Sequence, residues 1–162
     1  MRPRRTLGGP DLGAGKFISA GLSTIEQAKQ SGANSGFDSD RTQYVAGATY
    51  AVGSVTVGYQ YSRDNMANAG DGSVSYYQND AYGISFAVND DLTISYGEHK
   101  SERDVVAGGS GAVDLTAQSL QLSYTMGGAS IKFAESTVDN ASYTSGTSAD
   151  NDGRTIALTL AF

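Results

Sequence analysis

Apolar residues alternate with small or polar residues over residues 44–62, on either side of the pair Gly53-Ser54. A period of two that is interrupted by a glycine-containing pair predicts two β-strands joined by a two-residue hairpin turn. In that register Tyr50 faces Val57, and both strands place their apolar residues on the same side. The segment is therefore predicted to have one apolar face and one face of small and polar residues.

The same hairpin unit recurs twice, over residues 81–97 around a turn at 89–91 and over residues 119–134 around a turn at 127–128. The last residues alternate as a single strand, and a fainter strand covers residues 17–23. The pattern predicts an all-β fold of eight antiparallel strands, joined alternately by tight turns and long polar loops. The long loops are expected near residues 25–41, 63–76, 98–115 and 136–152. This rhythm is typical of a bacterial outer-membrane β-barrel, with the tight turns on the periplasmic rim.

The apolar face of the predicted strands carries no charged residue. An Arg or Lys at the middle of a bilayer would cost about 2–4 kcal/mol, so an uncharged face is what contact with lipid requires. Most of the tyrosines lie towards the strand ends, where an amphipathic ring can sit at the level of the lipid headgroups. The predicted lipid-facing aromatic girdle consists of Tyr44, Tyr50, Tyr59, Tyr61, Tyr82, Tyr96 and Tyr124.

The opposite face consists almost entirely of Gly, Ala, Ser and Thr. A soluble β-sandwich would show the same alternation, but its outer face is commonly charged. The small and uncharged residues favour a water-filled lumen. The predicted pore-lining residues are Thr49, Thr56, Gln60, Ser85, Thr93, Gln121, Ser123, Lys132, Thr155 and Thr159. Lys132 is the one expected to alter pore electrostatics, unless it lies near the rim and extends its ammonium group into water.

The width of the barrel can be inferred from the small residues of this face. The interior of an eight-stranded barrel is filled by its own side chains, and small residues with one lysine cannot fill it. We therefore expect the eight strands to belong to a wider wall, although the chain could also close alone or pair with copies of itself. An open sheet is not a viable membrane state, because each unsatisfied backbone group in lipid costs several kcal/mol.

Composition excludes several classes of function. Leu, Ile, Val and Phe make up just under a fifth of the 162 residues, which is poor material for a packed, water-soluble core. The chain has no cysteine and one histidine, His99, so it offers neither a disulfide framework nor a multi-histidine zinc site. The formal charge of -6 argues against nucleic acid as a partner and predicts a mild preference for cations. We expect no enzymatic activity, no catalytic residue and no cofactor.

Three further segments bear on the domain boundary, on a possible metal ligand set and on surface charge. Residues 1–14 begin with a basic stretch but lack the apolar region of a signal peptide, so they are predicted to be a disordered or non-native extension before a barrel segment at 15–162. A loop near the end could offer oxygen ligands to Ca²⁺, although a solvated turn is favoured. Its candidate ligands are Asp139, Asn140, Asp150, Asn151, Asp152 and Gly153. The mixed-charge run 98–104 is expected in a loop, as a hydrated surface or as an influence on ion preference.

Four stretches carry a resemblance to a known family: QYVAGATYAVGSVTVGYQYS, VNDDLTISYG, TMGGASIKFAES and RTIALTLAF. They resemble the C-terminal half of alphaproteobacterial general porins, the Rhodobacter-type trimeric outer-membrane porins, over about residues 17–162. The resemblance implies a 16-stranded barrel for passive diffusion of small hydrophilic solutes and ions in the bacterial outer membrane. It also implies a homotrimer in contact with outer-membrane lipid and lipopolysaccharide. The terminal pattern is similar to the signal that the barrel assembly machinery reads, and comprises Ile156, Leu158, Leu160 and Phe162.

The resemblance covers only half of such a porin, and the half that carries the inward-folded constriction loop has no counterpart here. A fragment, a truncated reading frame or a small barrel derived from a porin would each account for this length. One alternative is a non-conducting eight-stranded outer-membrane barrel with a structural or adhesive role through its extracellular loops. Another is a soluble β-sandwich that binds carbohydrate.

Overall fold

The computed structural model describes residues 15–29, 36–106 and 112–160. Eight antiparallel strands form one sheet in the order of the sequence, and this confirms the predicted all-β fold class. The strands are β1 (Lys16–Ile25), β2 (Arg41–Val52), β3 (Val55–Asn65), β4 (Val74–Ala87), β5 (Leu92–Val105), β6 (Val113–Met126), β7 (Ala129–Asp139) and β8 (Asn151–Leu160). Two short 3₁₀ turns, Ala141–Tyr143 and Thr147–Ala149, lie between β7 and β8.

The three predicted tight turns are confirmed, and local chemistry explains each of them. Gly53 and Gly127 begin two-residue turns with φ of 57°, a left-handed conformation that glycine adopts without a steric penalty. Between β4 and β5, the Asn89 side-chain oxygen accepts hydrogen bonds from the backbone N–H groups of Asp91 at 2.9 Å and Leu92 at 2.8 Å. All three turns lie at one end of the sheet, which we call the turn rim; the opposite end is the loop rim.

The observed register places the two sets of alternating residues on opposite faces of the sheet. Tyr50 pairs with Val57, as the sequence predicts, and Leu122 pairs with Phe133. The same alternation holds on strands β2 to β8, so one face is apolar and the other carries small and polar residues. We refer to these as the apolar face and the small-residue face. On β1, Phe17 and Ile25 lie instead on the small-residue face, and Lys16 lies on the apolar face.

The tight turns are displaced regularly along the sheet. Val52, Phe86 and Leu122 lie in one row of paired residues. Val52 is the last residue before its turn, but Phe86 lies two residues before Val88, and Leu122 lies four residues before Met126. The turn rim is therefore offset by one residue per strand. With about 3.3 Å per residue and 4.8 Å between strands, this offset gives a strand tilt of roughly 35°. Strands of β-barrels tilt by a similar angle, typically about 35–45°.

The strands extend further towards the loop rim than the sequence pattern predicted. The run 98–104, expected in a loop, lies in β5, and β4, β5 and β6 each contain 14 residues. Beyond the apolar part of each strand polar residues predominate on both faces, so periodicity no longer reveals the strand. Side-chain pairs support these extensions; for example, the Arg41 Nε atom donates to the Asp64 carboxylate at 2.8 Å.

No apolar side chain among the described residues is buried. Tyr50, Phe86, Leu122 and Leu158 are 44%, 45%, 38% and 61% exposed, instead of meeting in a core. β1 and β8 are the two edge strands, and within the described ranges they do not pair with each other. In this part of the chain there is no helix of the length and hydropathy needed to cross a membrane.

Candidate lumen surface

All predicted pore-lining residues lie on the small-residue face. Thr56 pairs with Ser85, Thr93 pairs with Ser123, and Ser123 pairs in turn with Lys132. The remaining members of the set pair with residues of the same face: Thr49, Gln60, Gln121, Thr155 and Thr159. The sequence therefore predicted their common placement correctly, while their role in lining a pore remains a prediction.

The middle of the small-residue face has almost no side-chain bulk. Gly58, Gly83 and Gly97 are paired neighbours on three consecutive strands, and the same row continues through Ser119 and Ser136. An open hollow of about 500 Å³ lies over the three glycines, and a second one of about 350 Å³ lies nearer the turn rim. The arrangement leaves room for water and small solutes along the sheet surface.

Lys132 lies exposed on this face near the turn rim, between Ser123 and Ala157. It lines the smaller hollow together with Gln121 and Thr155. The ammonium group is therefore placed where it can interact with a solute close to the turn rim.

The predicted girdle tyrosines lie on the apolar face in two groups. Tyr50 and Tyr124 lie close to tight turns, at the turn rim. The others lie where the apolar part of each strand meets polar residues towards the loop rim: Tyr44, Tyr59, Tyr61, Tyr82 and Tyr96. Tyrosine at both edges of an apolar band is typical of the two interfaces of a membrane.

Tyrosine hydroxyls of the second group donate to polar residues one row nearer the loop rim. Tyr61 donates to the Gln78 side-chain oxygen at 3.0 Å, and Tyr59 donates to the carboxylate of Asp80. Tyr96 donates to the carboxylate of Glu98 at 3.0 Å. The rings thus lie on the apolar side of this boundary and their hydroxyl groups on the polar side.

Acidic residues next to the apolar part are paired. The Glu98 side chain is only 8% exposed, lies 3.5 Å from the Lys100 ammonium group and accepts a hydrogen bond from Gln118 at 3.2 Å. On the next hairpin, Glu135 forms an ion pair of 2.8 Å with Arg154. Pairing lowers the cost of placing a carboxylate close to lipid.

The predicted assembly signal lies on edge strand β8. Ile156, Leu158 and Leu160 all lie on the apolar face and are exposed, whereas Phe162 lies outside the described residues, as does the extension at residues 1–14. Their recognition by the assembly machinery remains a prediction.

The possible Ca²⁺ ligands are distributed over two strands and the loop between them, with Asp139 at the end of β7. Asn151, Asp152 and Gly153 belong to β8, and the Asp150 carboxylate accepts a hydrogen bond from the Asn140 backbone N–H at 3.0 Å. Over residues 15–29, 36–106 and 112–160, no three His, Cys, Asp or Glu residues are grouped so that they could hold a metal ion.

Sequence reasoning missed Tyr143, which lies in the loop between β7 and β8 and folds onto the small-residue face. It contacts Ser101 and Arg103 of β5 and Tyr77 of β4. Ser101 beneath it is 2% exposed and is the only fully buried polar residue in the described part of the chain. The sequence contains one indication of its role, because Tyr143 is the only aromatic residue between Phe133 and Phe162.

No model of a known protein family matches the chain, and no curated protein matches it.

Proposed function

We propose that this chain forms a wall of an outer-membrane β-barrel of the porin class, which lets small hydrophilic solutes and ions diffuse passively across the membrane. The observation that carries the proposal is the contrast between an exposed apolar face, whose charged residues lie only towards the two rims, and a face of small residues, with no buried apolar side chain among the described residues. On this proposal the protein is not an enzyme.

The extent of the apolar face supports a lipid environment. Eight strands spaced by about 4.8 Å place the two edge strands roughly 34 Å apart. From Tyr44 to Val52 the apolar positions of β2 extend over about 26 Å along the strand, or roughly 21 Å after tilting, near the 25 Å apolar band of known barrels. Monomeric soluble proteins seldom expose apolar patches above about 300–600 Å², and this face is larger. A sandwich would need a second sheet to cover it, whereas all strands of the described ranges belong to one sheet.

The edge strands require partners in a membrane. Unpaired N–H and C=O groups of β1 and β8 would each cost several kcal/mol in lipid. The two edges can pair with each other, with another copy of the chain or with further strands of a longer wall. The row of glycines and serines on the small-residue face supports a wide, water-filled barrel, because these residues leave a narrow one unfilled. A trimeric assembly in lipopolysaccharide-containing membranes, inserted by the barrel assembly machinery, is part of the same proposal.

Membrane fractionation followed by planar-bilayer recording tests the proposal. We expect the protein to need detergent for extraction and to produce discrete conductance steps. Insertion without conductance would favour the non-conducting barrel with a structural or adhesive role. Recovery in the aqueous fraction, without detergent, would contradict the membrane assignment altogether.

The ion preference gives a second test. The formal charge of -6 leads us to expect a mild selectivity for cations under a KCl gradient. Replacing Lys132 by Gln is expected to shift the reversal potential further towards cation selectivity, because it removes an exposed cation from the small-residue face. Lys100→Gln is the matched control, since Lys100 lies on the opposite face beside Glu98. Clear anion selectivity of the unmodified protein, or equal shifts in both variants, would refute the expectation.

A further inference from the structure

The loop between β7 and β8, residues 140–150, extends well away from the two strands that it connects. Tyr143 reaches β5 and β4, which lie two and three strands from β7 in the sheet. At a strand spacing of about 4.8 Å, this reach amounts to roughly 10–14 Å across the sheet. The loop therefore crosses over β6 and does not project away from the barrel wall.

Tyr143 is held on the small-residue face by several contacts. Its hydroxyl lies 2.7 Å from the Ser101 hydroxyl, and its ring centroid lies 5.4 Å from that of Tyr77. Arg103 contacts Tyr143 in two ways. Its Nη2 atom donates a hydrogen bond of 3.1 Å to the Tyr143 carbonyl oxygen, and its guanidinium group lies 5.1 Å from the centroid of the Tyr143 ring. Ser101, Arg103 and Tyr77 all point to the small-residue face, so the contacts place the loop over that face.

A polar network continues beneath the loop. Ser101 donates its hydroxyl proton to the Asn79 side-chain oxygen, so the Tyr143 hydroxyl must be the donor to Ser101. Asn79 in turn donates to Ser62 at 3.2 Å. The network links the loop to β5, β4 and β3 on one face of the sheet.

Three residues of the loop adopt a backbone conformation that is uncommon outside glycine. Asn140, Ser142 and Tyr143 have φ of 54°, 60° and 56°, a region that residues other than glycine adopt when surrounding contacts compensate. At the base of the loop, the Asn140 side chain donates to the Asp114 carbonyl oxygen of β6 at 2.8 Å. The Asn140 backbone N–H donates a hydrogen bond of 3.0 Å to the Asp150 carboxylate, and this bond connects the two ends of the loop.

We propose that the loop at residues 140–150 is a constriction that Tyr143 fastens over the loop-rim end of the lumen, and that it limits the size of the solutes that enter. The inference rests on the proposed function, because a constriction needs a passage to narrow. Tyr143 acts as a positioning residue, and Arg103 places a cation beside the narrowed entrance.

Bilayer recordings test the constriction. Tyr143→Ala removes the ring and the hydroxyl, and we expect conductance to rise by about 1.5-fold and larger neutral sugars to pass in vesicle swelling assays. Ser145→Ala is the control, because Ser145 lies exposed in the same loop. A conducting protein whose Tyr143→Ala variant behaves as the Ser145→Ala variant does would overturn the constriction alone. A silent unmodified protein would overturn the proposed function, and the size-limiting role with it.

A fluorescence measurement tests the loop position without relying on conduction. The chain has no tryptophan, so Tyr143→Trp and Ser145→Trp each introduce a single indole. In the folded, detergent-solubilised protein we expect acrylamide to quench the indole of the first variant several-fold less than that of the second. Equal quenching would show that the loop is not fastened to the sheet and would overturn the proposal.

Discussion

Leu122→Arg is expected to destabilise the membrane-embedded protein by about 2–4 kcal/mol, because it places a guanidinium on the proposed lipid-facing side near the middle of the apolar band. Gln121→Arg changes the preceding residue, whose side chain lies on the small-residue face, and is expected to leave stability nearly unchanged. Both native side chains are exposed and lie next to each other on one strand, so the two variants place the same guanidinium at the same depth on opposite faces. Equilibrium unfolding in urea, with the protein folded into lipid vesicles, measures the difference.

Leu122→Phe distinguishes between two possible environments of Leu122, which are fluid lipid and a packed protein core. Fluid lipid chains adapt to a larger side chain, so we expect a change within about 0.5 kcal/mol. In a close-packed core the same substitution would cost about 1–3 kcal/mol through overpacking. A large loss of stability in this variant would therefore contradict the assignment of the apolar face to lipid.

Thiol labelling is expected to alternate residue by residue along β6 in lipid vesicles. The chain has no cysteine, so single substitutions to Cys provide clean reporters. Cysteines at Gln121 and Ser123 should react with a charged methanethiosulfonate reagent at least about tenfold faster than those at Leu122 and Tyr124, since only a hydrated thiol ionises readily. Reaction rates measured for the four variants give the comparison.

Conductance shows whether the labelled face lines a passage. A bulky charged group attached at Gln121→Cys is expected to reduce single-channel conductance, while the Leu122→Cys variant should keep its conductance during the same exposure. A soluble sandwich could show the same alternation of labelling but would give no conductance. Labelling at Gln121→Cys that leaves the current unchanged would count against a lumen on the small-residue face.

Much of the architecture could be predicted without the structure. The period of two identified the apolar face, and glycines at 53 and 127 with asparagine at 89 marked the tight turns. These features are local, because alternation assigns each side chain to a face and a short turn sets the register of its hairpin. The predicted girdle and the predicted pore-lining set were each placed on one face for the same reason.

The loop rim could not be predicted in the same way. Polar residues of β5 beyond Tyr96 alternate without any apolar signal, so the run 98–104 was assigned to a loop although cross-strand pairing keeps it in β5. Glu98, Lys100 and Gln118 form their contacts on the apolar face, but their spacing in the sequence gave no indication of this.

The composition and order of the residues determined a sheet with one apolar and one small-residue face, because strand geometry assigns successive side chains to opposite faces. Tertiary structure alone decided that Tyr143 lies on Ser101, a contact between residues 42 positions apart. It depends on the path of a loop across β6, and that path is set by contacts with β4, β5 and β6 that exist only when the strands are assembled.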